Sequence, residues 1–126
     1  MISLDYKDGR TLYEQIEHGF RELIISGILK AHEQLPSVRE LSISLTVNPN
    51  TVQKAYKELE TAGYIYSVKG KGSFVAPQSQ AKDEKRIAEL YDEITSAVKE
   101  LMYLGGTKEE IHSLINNIYS EREEEK

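Results

Sequence analysis

The dipeptide Asn48-Pro49 is the tightest constraint in this chain. Proline has no backbone N–H and a φ locked near that of a helix, so it is tolerated in a helix only in the first turn. Asn48 before it is a good N-cap. A helix therefore starts here. Val52, Ala55, Tyr56 and Leu59 share one side of it, while Asn50, Lys54 and Lys57 share the other with Gln53 beside them. Gly63 ends it. Just upstream, Ser37 and Glu40 have capping-box spacing ahead of the apolar stripe Val38, Leu41 and Leu45, and only Thr46-Val47 separates that short helix from the next. Just downstream, Tyr64–Val68 and Ser73–Val75 are rich in β-branched and aromatic residues and read as two strands joined by Lys69-Gly70-Lys71-Gly72.

Short helix, tight turn, helix and basic-tipped hairpin, in that order, spell a winged helix-turn-helix: a mainly α fold with a small β-hairpin wing. A further helix from Thr11 to Ser26 precedes it. Thr11 and Glu14 form its capping box, Leu12, Ile16, Phe20 and Leu23 its stripe, and Gly27 its stop. Residues 28–34 read as a connector. After a linker at Ala76–Gln80 comes a second pattern, with Ile87, Leu90, Tyr91, Ile94, Val98, Leu101 and Met102 at helical spacing. Gly105-Gly106 interrupts it, Thr107 and Glu110 form another capping box, and Ile111, Leu114, Ile115 and Ile118 follow before a solvated tail, Glu121–Lys126. The expected organisation is a winged-helix domain over 1–76 and a two-helix tail, a helical hairpin, over 77–126. Such a hairpin cannot cover its own apolar stripe, so the tail residues from Ile87 to Met102 and from Ile111 to Ile118 named above are expected to dimerise with a second copy.

The net charge of −5 sits oddly with a helix-turn-helix until its distribution is read. Residues 1–76 carry nine Lys and Arg against nine Asp and Glu, and residues 77–126 seven against twelve, so the whole acidic surplus lies in the tail. Within 37–75 base leads acid by five to three. Local basic surface, not whole-chain charge, is what phosphates meet. With so small a surplus, binding to DNA should depend strongly on salt and need two copies of the module.

Other functions find no footing. Lys69-Gly-Lys-Gly-Ser73 lacks the order of a phosphate-binding P-loop. No nucleophile or paired carboxylate stands in a recognisable catalytic context, and His18, His32 and His112 are scattered. No enzyme activity, metal or cofactor is expected, and no effector is identifiable. The chain has no cysteine, no apolar run of membrane-spanning length and no leader-like N-terminus, which suits a reducing cytoplasm.

Three motifs together carry a family resemblance: Leu35-Pro-Ser-x-Arg-Glu-Leu41, Asn50-Thr-Val-x-x-Ala-Tyr-x-x-Leu59 and Gly70-x-Gly-x-Phe-Val75, with Tyr13-Glu-Gln-Ile16 in the first helix. They resemble the DNA-binding domain of GntR-type bacterial transcription regulators. The two-helix tail and Asn48-Pro-Asn-Thr-Val-Gln-Lys54 are similar to the YtrA-type subgroup, whose tail dimerises. The resemblance implies a homodimeric DNA-binding transcriptional regulator, a repressor, on a palindromic operator, with recognition helix 48–62 and basic wing 69–72. It implies contacts at Arg39, at Asn48, Pro49, Asn50, Thr51 and Gln53, and at Lys69 and Gly70. The helix face itself adds Lys54 and Lys57, the glycine-interleaved tip adds Lys71, and the cap Ser37 leaves helix N–H groups for a phosphate. Relatives often carry Arg where Pro49 and Gln53 stand, so base preference should differ; Gln53 suits adenine. They also often carry Pro-Gly where this chain has Ala31-His32, and Gly where it has Thr46. Two plainer readings stand beside these. Lys54 and Lys57 also fit an ordinary solvated face, and the whole fold also fits a protein-interaction module without DNA specificity.

Overall fold

The computed structural model describes residues 2–78 and 84–124; positions 79 and 80 of the expected linker and 125 and 126 of the expected tail lie outside them. The elements are α1 (Leu12–Ile25), α2 (Val38–Leu45), α3 (Pro49–Thr61), β1 (Ile65–Val68), β2 (Gly72–Val75), α4 (Glu84–Tyr103) and α5 (Lys108–Glu124). They divide into two compact units, 1–83 and 84–126.

The helices of the first unit start where side chains satisfy the free N–H groups of the first turn. Thr11 and Glu14 cap α1 reciprocally, and Ser37 and Glu40 do the same for α2. Asn48 Oδ1 accepts from the Asn50 N–H at 2.8 Å, with Pro49 opening α3. The core forms where α1 and α3 meet. Ile16, Phe20, Val52, Ala55 and Leu59 have no exposed surface, and Leu29, Leu35, Leu41, Ile65 and Val75 close around them. Phe20 and Tyr56 pack edge to face at 5.7 Å. Each large side chain so buried contributes about 1.5–3 kcal/mol. Gln15, also buried, clamps the N-terminal segment onto α1. Its Oε1 accepts from the Asp5 N–H at 2.8 Å, and its Nε2 donates to the carbonyls of Asp5 and Arg10 at 3.0 and 3.2 Å.

β1 and β2 pair antiparallel from Ile65↔Val75 to Val68↔Gly72. Gly72 is thus a strand residue, and the turn narrows to Lys69–Lys71, closed by the Lys71 N–H on the Val68 carbonyl at 2.9 Å. Gly70 supplies the positive φ (79°) that a type II turn demands at its third position. The connector is more ordered than its sequence indicates. The Leu35 N–H donates to the Ser73 carbonyl and the Val75 N–H to the Glu33 carbonyl, both at 2.9 Å, and Gln34 bridges to Phe74. The wing therefore has a third, short edge.

Among the described residues, the non-glycine positions with positive φ are His32 (69°) and Thr46 (56°). Both stand where the resembling family often has glycine. A side chain in this left-handed region costs about 1–2 kcal/mol, and a β-branched one is the more unusual.

The second unit is built differently. Thr107 Oγ1 accepts from the Glu110 N–H at 3.2 Å and caps α5. Gly105 (φ 94°) and Gly106 close the end of α4, the Gly106 N–H donating to the Leu101 carbonyl at 2.7 Å. No residue of α4 is buried, and α4 and α5 do not pack along one another. The two helices of the expected tail are present, but they do not close on one another as the expected helical hairpin would, and their apolar stripes are uncovered. No helix among the described residues is long and apolar enough to cross a membrane.

Candidate nucleic-acid interface

Helix α3 has two chemically opposed sides. Val52, Ala55, Tyr56 and Leu59 are buried, whereas Asn48, Pro49, Asn50, Gln53, Lys54 and Lys57 are exposed and Thr51 is half-buried. Thr51 donates its backbone N–H to the Asn48 carbonyl at 2.9 Å, so it serves the cap first. Lys54 is less available than its exposure indicates: its Nζ stands 3.9 Å from the centre of the Tyr13 ring on α1. A cation over an aromatic face is held there by the ring quadrupole. Neighbouring Glu14 lies below the ordinary carboxylate range, chiefly because it accepts from the Thr11 hydroxyl and N–H.

Ser37 and Arg39 are exposed at the start of α2. Ser37 Oγ accepts from the Glu40 N–H at 3.0 Å. Lys69, Gly70 and Lys71 are exposed at the wing tip, and one groove lined by Gln34, Leu35, Ser37 and residues 67–73 joins the two places. Among the described residues, Arg39, Lys57, Lys69 and Lys71 have no ion-pair partner. Their charges are therefore open to an outside anion.

Recognition helix and α2 are tied together through Tyr56, whose hydroxyl donates to the Pro36 carbonyl at 2.7 Å. Burial pushes the Tyr56 pKa up, with the Glu40 carboxylate adding to the effect, so the phenol stays a donor at any physiological pH. At the far end of α3, Ser67 Oγ donates to Glu60 at 3.2 Å and holds β1 to the helix. A helix with one buried flank, one amide-and-ammonium flank and a basic hairpin tied to it has the form of a groove-reading module.

The family model "Bacterial regulatory proteins, gntR family" matches residues 12–75, from α1 to the end of the wing. This chain belongs to the GntR family. It is a DNA-binding transcriptional regulator of that family, which is not a family of enzymes. The HTH-type transcriptional repressor YtrA of Bacillus subtilis (strain 168) is 35% identical over 119 residues, covering 94% of this chain and 92% of YtrA. A transcriptional antiterminator from Listeria monocytogenes EGD-e is similar in structure, with TM-score 0.75 and 38% identity over 94% of this chain and 90% of its own. The AraR DNA-binding domain, solved in complex with operator ORE1, has TM-score 0.52 and 29% identity over 60% of this chain and 93% of that domain.

In this GntR chain the tail residues form a separate set. Ile87, Leu90, Tyr91, Ile94, Leu101, Met102, Leu114, Ile115 and Ile118 are exposed, and Val98 and Ile111 are half-buried. The connector residue Gln34 joins the wing through a contact that the sequence does not signal. Its amide Nε2 donates to the Lys71 carbonyl at 2.9 Å, and no local pattern marks a contact that spans 37 positions.

Proposed function

We propose that the protein is a homodimeric repressor acting in the cytoplasm on a pseudo-palindromic operator. Helix α3 enters the major groove, and the wing lies on the flanking backbone. The observation that carries this is the division of α3 into a buried flank and an exposed Asn50, Gln53 and Lys57 flank. Arg39, Lys69, Gly70 and Lys71 hold phosphates, with the start of α2 at its cap Ser37 presenting helix N–H groups; the N–H groups of Asn50 and Thr51 already serve Asn48, so Asn48 and Thr51 contribute through their side chains. Gln53 reads an adenine edge bidentately, Pro49 offers only ring contact, and Lys54 moves off Tyr13 to reach DNA. The uncovered stripes of α4 and α5 bury against a second copy. Two facts about relatives support this reading: YtrA is named a repressor, and AraR is solved on an operator.

Arg39→Ala should weaken binding by about 1–3 kcal/mol in a gel-shift titration at fixed salt. Unchanged affinity would count against the assignment. A parent chain whose duplex binding does not weaken as salt rises would point instead to an interaction module without DNA specificity.

A further inference from the structure

We propose that Gln34 is a positioning residue for the wing, setting where Lys69 and Lys71 present their charges; this rests on the DNA-binding reading above. The wing tip has little stiffness of its own. Lys71 lies between Gly70 (φ 79°) and Gly72 (φ 121°), two residues without the side-chain sterics that restrain a backbone. Besides the hydrogen bond that closes the turn, from the Lys71 N–H to the Val68 carbonyl, Gln34 touches the tip from outside the hairpin. Its amide donates to the Lys71 carbonyl at 2.9 Å from the connector, not from either strand. A Cβ at Gly72 would stand 3.0 Å from Gln34 Nε2, so the amide lies against the strand backbone beside the tip.

Gln34 also belongs to a joint in which successive residues each hold a different element. The Leu35 N–H donates to the Ser73 carbonyl in β2, the Pro36 carbonyl accepts from Tyr56 of α3, and Ser37 caps α2. Through this joint the wing tip is registered to the recognition helix. Holding the tip in its binding geometry before DNA arrives reduces the ordering cost of binding. Gln34 is itself exposed and uncharged, so its removal leaves the core and the charge of the interface intact.

The test uses the intact chain and a duplex that the parent chain recovers from a randomised pool, read by gel shift at fixed salt and by hydroxyl-radical footprinting. Gln34→Ala should weaken binding roughly five- to tenfold, about 1–1.4 kcal/mol, with an unchanged melting temperature. Footprint protection should fade at the wing-facing flanks and persist at the centre. In a Lys69→Ala/Lys71→Ala background the same change should have no further effect. Parent-like binding by Gln34→Ala overturns the proposal. So does an equal loss in both backgrounds, which would make Gln34 a DNA contact itself, or uniform footprint loss with a lower melting temperature. A parent chain that recovers no duplex overturns the DNA-binding reading and this proposal with it.

Discussion

The two units of this chain treat their apolar side chains in opposite ways. In the first, Ile16, Phe20, Val52 and Leu59 are wholly removed from water, and the polar flanks face out. In the second, α4, whose apolar periodicity is as strong as that of α1 and α3, leaves Ile94 54% and Leu101 42% exposed, and no residue of it is buried. The same 3.6-residue pattern thus serves two ends. Where three helices and a hairpin meet, it makes a core within one chain; where two helices stand without a third layer, it makes a surface that needs covering. An uncovered stripe of this length is a prediction about assembly.

Phe20→Ala removes a ring at the centre of the first unit and should cost about 3–5 kcal/mol in urea unfolding. That is a large part of what holds a small domain together. A loss below about 1 kcal/mol would mean that the core is not where the packing puts it. In the second unit, Ile94→Glu should leave the melting of the first unit unchanged but raise the dimer dissociation constant by about a hundredfold or more, about 2.7 kcal/mol, in sedimentation. A variant that dimerises like the parent would separate the stripe from assembly.

Two changes within the first unit should have smaller effects. Tyr56→Phe strands the Pro36 carbonyl without its donor and should cost about 1–2 kcal/mol in thermal unfolding. Thr46→Gly should act the other way. It relieves a β-branched residue at φ 56°, and after the greater chain entropy of glycine is subtracted the net gain is up to about 1 kcal/mol. A destabilised Thr46→Gly protein would show that the turn is held by the threonine side chain and not strained by it.

What the sequence disclosed follows from which interactions are local. The caps at Thr11, Ser37, Asn48 and Thr107 and the buried face of α3 were legible because each depends on residues within four positions of one another. The glycine replacements at His32 and Thr46 were visible as departures from a family pattern, but their left-handed backbone was not, since neither residue type announces it. The edge formed by Glu33, Gln34 and Leu35 on β2 was hidden in a connector, because its partners lie about forty positions away and leave no periodic trace. Lys54 shows the limit of face arguments at the candidate site: the helical wheel places it beside Lys57, yet its ammonium rests on a ring from another helix.

A second copy that covers the tail stripe would also double the DNA-binding unit. Sedimentation equilibrium of the intact chain over a concentration series decides whether it does so. The mass should be twice that of the 14.4 kDa chain, falling toward the single-chain mass only on dilution; the single-chain mass at every concentration would mean that no second copy covers the stripe.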